Sequence, residues 1–258
     1  MPADTALRLN DRHILITGAS SGIGERLART AATEGARVTV AARRADRLAA
    51  LVKQLRQSGA QAEAVSMDVA DEASVVAGFA QAEAALGPID TVYANAGVGL
   101  PGLAVEAEVA DFDAMFAVNV RGAFLTARQA ARAMTASGVG ARGAGRVILI
   151  ASIGAVTQLP GLSGYCASKA AVLSLGKSLA KEWARIGVNV NVVCPGYIET
   201  EMNSGWFASP GGQRQIQGFA RRALMPEDAL DATLVLLGSD AAHAITGGVF
   251  TVDEAQSL

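Results

Sequence analysis

Short apolar runs punctuate the chain at His13–Thr17, Arg37–Ala42, Gln61–Ser66, Thr91–Ala94, Arg146–Ala151, Asn189–Val193 and Val249–Val252. Several are rich in Val and Ile and stay apolar at successive positions instead of alternating. Strands covered on both faces by helices read this way. The helical patterns between them are long enough to carry the chain from one parallel strand to the next, and such crossovers are right-handed. The pattern therefore predicts an α/β fold: one doubly wound parallel sheet of about seven strands with helices on both faces. No repeat, linker or low-complexity boundary divides the sequence, so a single domain over 1–258 is expected. The least typical connection, Ser137–Gly145, is rich in glycine and is expected to be a flexible surface turn.

The first strand runs into Thr17-Gly18-Ala19-Ser20-Ser21-Gly22-Ile23-Gly24, and a helix is expected from Ile23 to Thr33. Glycines let backbone approach a phosphate closely, and the helix start offers free N–H groups and the positive end of its dipole. Gly18, Ser20, Ser21, Gly22, Ile23 and Gly24 are thus candidate dinucleotide contacts. The spacing is G-x-x-x-G-x-G, not the G-x-G-x-x-G fingerprint. A tight βα turn with no ligand is the plainer reading. The end of the second strand should choose the cofactor, because an acid there binds a ribose 2′-hydroxyl and an arginine suits a 2′-phosphate. Ala42 stands where the acid would be and Arg43 follows, which favours NADP(H) over NAD(H). Arg43 and Arg44 as solvated helix-start charges are the alternative.

The fifth run ends at Ser152, at a strand's C-terminal end, where open α/β sheets bind ligands. Tyr165 and Lys169 follow at i, i+4 spacing, which puts both on one helix face. A tyrosine hydroxyl has an ordinary pKa of about 10, and a nearby ammonium favours its phenolate. A hydroxyl to hold a carbonyl oxygen and a tuned phenol to trade a proton suit carbonyl/alcohol interconversion.

Composition narrows the alternatives. The chain of 258 residues is 51% hydrophobic and 18% charged, which is a well-packed globular composition. Its net charge of −2 and 5% aromatic content give no basic, aromatic-interleaved surface for nucleic acid. Cys166 and Cys194 are too few and too far apart for a disulfide framework or zinc motif, and His13 and His243 are the only histidines, so no metal site is expected. The opening Met-Pro-Ala-Asp has no basic, then apolar, leader pattern, and no apolar run approaches the roughly 18 residues that span a membrane. A cytoplasmic protein with no membrane partner is the expectation.

Taken in order, these residues resemble the classical short-chain dehydrogenases/reductases from about Asn10 to Asp253. Thr17-Gly18-x-x-x-Gly22-x-Gly24 is similar to that family's cofactor turn, and Asp68-Val69 to its adenine-contacting pair. Asn95-Ala96-Gly97 resembles the N-A-G motif that closes the fourth strand, and Asn119 falls at the family's catalytic asparagine. Ser152, Tyr165 and Lys169 match the other catalytic positions. Cys194-Pro195-Gly196-Tyr197-Ile198-Glu199-Thr200 resembles the P-G loop, where Ile198 and Thr200 would contact the nicotinamide carboxamide. The resemblance implies a Rossmann-type fold, an NADP(H)-dependent reaction without a metal, and a homotetramer. It implies that Tyr165 is general acid or base and that Lys169 lowers its pKa and holds the nicotinamide ribose. Ser152 would position the substrate oxygen, and Asn119 would hold a water linking Lys169 to solvent. Singly, each residue has a plainer reading: Ser152 and Asp68 as turn residues, Tyr165 and Lys169 as a surface pair, Asn119 as a helix cap. Their order and spacing together favour the family. One departure is Asp253-Glu254-Ala255, where the family often has Asp-Gly-Gly, a region usually at subunit contacts.

Beyond the P-G loop, 201–224 is expected to be a mobile cover over the site. It carries Trp206, Phe207 and Phe219, as pocket residues or as anchors of the lid. With Val98, Leu100, Ile153, Val156, Leu159, Leu162 and Tyr197, these give a largely apolar pocket, which predicts a hydrophobic, aryl or alicyclic, ketone or secondary alcohol. A 3-oxoacyl thioester is the alternative substrate, because Arg221 and Arg222 could meet its carrier's phosphate. A non-catalytic NADP-binding regulator and an extended-type nucleotide-sugar epimerase are the other readings. The intact Asn119, Ser152, Tyr165 and Lys169 set disfavours the first, and the glycine spacing disfavours the second.

Overall fold

The computed structural model describes residues 9–258. The expectation about a leader concerns the opening residues and lies outside that range. Seven strands form one sheet: β1 (His13–Thr17), β2 (Arg37–Ala42), β3 (Ala62–Ser66), β4 (Thr91–Ala94), β5 (Gly145–Ile150), β6 (Val188–Pro195) and β7 (Val249–Val252). Their order is β3-β2-β1-β4-β5-β6-β7, and every pairing is parallel. The chain winds outward from β1 to one side and, after β3, restarts at β4 on the other. The crevice above β1 and β4 is therefore the topological switch point of the sheet.

Side chains alternate across the strands, and both faces are buried. Ile14, Ile16, Val38, Val40, Ile148 and Ile150 pack with α1 (Gly22–Thr33) and α2 (Ala45–Gln57). Leu15, Val92, Val147, Leu149, Val190 and Val192 pack on the opposite side. They meet α3 (Glu72–Leu86), α5 (Ala123–Ala136) and α6 (Ser163–Trp183). Each fully buried Ile or Leu contributes about 1.5–3 kcal/mol relative to exposure, which is why these runs lack the polar alternation of a one-sided sheet. Between β4 and α5 lies α4 (Val109–Phe116), joined to α5 by a π-helical turn at Ala117–Gly122. After β6 come two short helices, α7 (Ser204–Phe207) and α8 (Pro210–Gly218), and then α9 (Asp231–Gly238) on the first face.

The glycine-rich Ser137–Gly145 connection is a surface turn at Ala141–Gly143, as its composition suggested, but its two ends are packed. Val139 is fully buried, and a Cβ on Gly140 would lie 2.4 Å from the Ile186 carbonyl oxygen. Those glycines allow a close approach to the end of α6. The family's Asp-Gly-Gly position is filled here by Glu254 and Ala255 at φ of 49° and 65°, left-handed values that glycine would adopt without strain. Asp253 holds them, accepting from the Ala255 and Ser257 N–H groups.

Candidate active site

β1 and β4 end side by side, and a brace between them shapes the turn that follows β1. Thr17 Oγ1 accepts from the backbone N–H groups of Asn95 and Ala96 at 3.1 and 3.2 Å. The Asn95 amide donates to the carbonyls of Thr17 and Gly18 at 3.0 and 3.3 Å. Asn95 also lines the cavity, so its side-chain amide holds the turn from a place on the cavity wall. Gly18 sits at φ +68°, and a Cβ there would lie 2.7 Å from Ala96 Cα. A Cβ on Gly24 would lie 2.5 Å from both Asn95 Nδ2 and the Gly18 carbonyl oxygen. No residue with a side chain fits either place, so the turn is drawn tight and the start of α1 faces the crevice. That cradle, with unsubstituted backbone at its base and helical N–H groups at its rim, fits a dinucleotide pyrophosphate.

The rim bears cations. Arg43 is exposed and lines the cavity. It is the neighbouring Arg44 that closes on the turn. Its Nε donates to Ser20 Oγ at 3.0 Å and a terminal nitrogen donates to Ser21 Oγ at 2.6 Å. Its other terminal nitrogen donates to Glu201 Oε2 at 2.9 Å. Asp68, with Val69, follows β3 and also lines the cavity; one of its carboxylate oxygens accepts from the Ala70 N–H at 3.0 Å. The turn role and the cavity role thus coincide at Asp68.

The catalytic candidates converge at the other end of one continuous cavity of about 1110 Å³. Ser152 follows β5, with its Oγ accepting from Gly154 N–H at 3.0 Å to open a 3₁₀ turn at Ile153–Ala155. Tyr165 and Lys169 share a face of α6, with Lys169 Nζ 5.8 Å from the Tyr165 ring centroid. The Lys169 ammonium is buried and donates to the Ile150 carbonyl at 2.9 Å. Burial pulls its pKa down to about 8. Burial also pushes the Tyr165 phenol above its ordinary value, and a hydrogen bond with Ser152 works the other way. The net shift is upward, opposite in sign to the lowering that the resemblance implies from Lys169, because desolvation is the largest influence on the phenol.

Asn119 lies inside the π-helical turn, not at a helix cap. Its Oδ1 accepts from Val98 N–H and its Nδ2 donates to the Val98 carbonyl, each at 2.8 Å. Nδ2 also donates to Ser168 Oγ at 3.0 Å, and Ser168 Oγ donates to the Tyr165 carbonyl at 2.7 Å. Gly97 lies where Asn119 and Lys169 meet: a Cβ on it would be 3.4 Å from Asn119 Oδ1 and 3.2 Å from Lys169 Nζ. Pro195, Gly196, Ile198 and Thr200 line the cavity beside the turn, and a Cβ on Gly22 would touch Thr200 Cγ2 at 3.1 Å.

The apolar lining of the cavity includes Val98, Ile153, Leu159, Leu162, Tyr197 and Trp206. Leu100 and Val156 point outward, 44% and 48% exposed, and do not line it. Phe207 is buried and packs edge-on to Tyr197, while Phe219 stacks on the same ring. Phe207 and Phe219 are the anchors; Trp206, 53% exposed, is the pocket residue. Its Nε1 donates to Gln215 Oε1 at 2.7 Å. Arg221 pairs with Glu254 at 2.8 Å. Among the described residues no group of three or more His, Cys, Asp or Glu could hold a metal ion, and no helix is long and apolar enough to cross a membrane.

Comparison with known proteins agrees with this geometry. The family model for short chain dehydrogenases matches residues 12–210. A glucose 1-dehydrogenase of Gluconobacter oxydans is 33% identical over 100% of this chain and 96% of its own. A cis-4-hydroxycyclohexanecarboxylate dehydrogenase of Sinomonas cyclohexanicum is 36% identical over 94% and 95%. Among solved structures, a gluconate 5-dehydrogenase from Burkholderia cenocepacia in complex with NADP and tartrate matches with a TM-score of 0.91 at 32% identity, covering 97% of each chain.

Proposed function

The chain belongs to the short-chain dehydrogenase family, and from that premise we propose that it is an NADP(H)-dependent enzyme interconverting a hydrophobic, aryl or alicyclic, ketone and its secondary alcohol. It is an oxidoreductase acting on CH–OH groups, as its named relatives are, and its family binds NAD(P). The observation that carries the reading is one cavity with a cradle at one end and Ser152, Tyr165 and Lys169 at the other.

The nicotinamide, when bound, supplies or accepts the hydride. The protein's own groups handle position and protons. Ser152 Oγ holds the substrate oxygen beside the Tyr165 phenol. Tyr165, kept protonated by burial, donates its proton to that oxygen in reduction and takes it back in oxidation. Lys169, buried next to Tyr165, holds the nicotinamide ribose and favours the phenolate left after transfer. Asn119 keeps this end in register through Val98 and Ser168 and would hold the relay water. Gly18 to Gly24 receive the pyrophosphate, with Asp68 and Val69 at the adenine and Ile198 and Thr200 at the carboxamide. NADP(H) is favoured by the absence of an acid at Ala42 and by the Arg43 and Arg44 guanidinium groups.

The segment 201–224 covers the substrate, with Trp206 against it. The apolar lining of the cavity beside Ser152 and Tyr165 supports an uncharged ketone. Arg221, paired with Glu254, is drawn away from the role of receiving a carrier phosphate, which disfavours a 3-oxoacyl thioester. The exposed apolar residues Val109 and Phe112 on α4 support a homotetramer, and cytoplasmic residence is part of the same reading.

The test is initial-rate turnover of a ketone panel (small aliphatic, cyclic, aryl and β-keto ester) with NADPH and NADH, with Tyr165→Phe beside the wild type. The expected result is faster turnover of cyclic or aryl ketones with NADPH, abolished in Tyr165→Phe. Turnover that survives in Tyr165→Phe would refute the catalytic assignment. Tight NADPH binding without turnover would favour a regulator.

A further inference from the structure

The same rim that favours NADP(H) also carries an anion of its own. Glu201 follows Thr200 at the start of the covering segment, and its carboxylate meets the start of α2 just past the end of β2. One oxygen accepts from Arg44 at 2.9 Å, and the other lies 3.3 Å from an Arg47 terminal nitrogen. Arg44 at the same time holds Ser20 and Ser21. Three chain segments thus meet at one guanidinium fork: the glycine turn, the start of α2 and the covering segment. The fork stands where the sheet's second strand ends, the position that reads the ribose 2′ substituent in this architecture.

We propose that Glu201 is a specificity-determining residue that competes with the 2′-phosphate for Arg44. A 2′-phosphate beside Arg43 also draws on the Arg44 guanidinium that Glu201 already occupies, and two anions at that separation repel. NADP(H) therefore engages Arg44 only by displacing Glu201, which also unties the covering segment from the rim. NAD(H) has no charge at this place and leaves the Arg44–Glu201 pair intact. Its 2′-hydroxyl finds in Glu201 the carboxylate that the strand end lacks at Ala42. The acid missing from β2 is supplied from a different part of the chain, some 160 residues later. The consequence is a smaller preference for NADP(H) than the two arginines alone would produce. It is also a covering segment whose hold on the rim depends on which cofactor is bound.

This inference rests on the reading of the cavity as a dinucleotide site, and the experiment separates the two. Dissociation constants for NADPH and NADH are measured by nucleotide fluorescence on the wild type, Glu201→Gln, Arg44→Met and the double variant. Both groups are about half exposed, so a modest effect is expected: NADPH binding tightens roughly three- to tenfold in Glu201→Gln while NADH binding is unchanged or weakened. In the Arg44→Met background the tightening disappears, because the competition is for that fork. Equal changes for both nucleotides, no change for NADPH, or full tightening without Arg44 would each overturn the assignment of Glu201 while leaving the cofactor reading intact. A wild type that binds neither nucleotide would overturn both.

Discussion

Lys169 carries a charge that folding has placed almost out of reach of water, and that cost is measurable. The residue is 4% exposed, and among the described residues its side chain's only hydrogen bond is to the Ile150 carbonyl. Its pKa falls from 10.5 to about 8 on folding, which corresponds to about 3 kcal/mol of destabilisation where both states are protonated. The sign follows from proton counting. Between the two values the unfolded chain holds a proton that the folded chain has released, so stability rises with pH through that window and the full cost lies below it. Lys169→Met keeps the stem's packing and removes the charge. It leaves the Ile150 carbonyl without its donor, at about 1 kcal/mol. A net gain of about 2 kcal/mol is expected at pH of about 6.5, or several degrees in Tm for a chain of this size. At pH of about 9.5 the charge cost has dropped to about 1 kcal/mol and the advantage of the variant nearly vanishes. Denaturant unfolding of both proteins at the two pH values, read as a difference, isolates this group from every other titration. The variant is expected to lose turnover as it gains stability. A Lys169→Met protein no more stable than wild type at the lower pH, or with a pH-independent advantage, would refute the argument that burial dominates this ammonium.

Three further outcomes follow from particular contacts. Gly24→Ala puts a methyl where Asn95 Nδ2 and the Gly18 carbonyl already stand, so dinucleotide affinity in a fluorescence titration should fall at least about tenfold; unchanged affinity would mean the turn can widen without harm. Ala255→Gly relieves a left-handed residue that costs about 1–2 kcal/mol and returns part of that in unfolded-chain entropy, so a Tm rise of a degree or two is expected, and a fall would contradict the strain. His13, buried between Gly87 and Thr39, has its pKa pushed below 6.5 mainly by desolvation. Stability should therefore drop as pH falls below that value, because the unfolded chain takes a proton the folded ring resists, and His13→Asn should flatten the drop in acid unfolding curves.

The strands were legible because both-face burial writes itself into consecutive residues. β1, β2, β4 and β7 begin and end where the apolar runs do, and β5 and β6 differ by one or two residues at their ends. The positions of Ser152, Tyr165 and Lys169 were legible for a related reason, since strand ends and helix spacing are local geometry. What the sequence could not display is how long side chains spend their polar atoms across distant segments. Nothing local to Asn95 shows that its amide braces Thr17 and Gly18, residues far back in the chain. Arg43 and Arg44 are indistinguishable as neighbours in sequence, and only the fold turns one fork onto Ser20, Ser21 and Glu201. Likewise, the balance at Tyr165 depends on how dry the site is, and spacing to Lys169 carries no information about that. The packed Gly140 contact with Ile186 was hidden because composition alone does not tell a glycine needed for flexibility from one needed for proximity.

Two asparagines explain how the ends of so large a cavity keep a fixed separation. Hydride transfer needs reacting atoms held near contact, and a displacement of about 1 Å can cost about a hundredfold in rate. The cradle belongs to β1 and the proposed proton donor to α6, elements that need not be coupled. Asn95 ties the turn after β1 to the end of β4. From there the chain runs three residues to Val98, whose N–H and carbonyl both bond the Asn119 amide. Asn119 then bonds Ser168, and Ser168 bonds the carbonyl of Tyr165 itself. The π-helical turn follows from this requirement: an ordinary helix through Ala117–Gly122 would rotate Asn119 relative to the helix that follows it, and such turns occur where a side chain must be aimed. The Asn95 amide donates and the Asn119 amide both donates and accepts, each in fixed directions, so the relay transmits position with little slack, and neither asparagine needs to touch the substrate to set the distance over which the chemistry occurs.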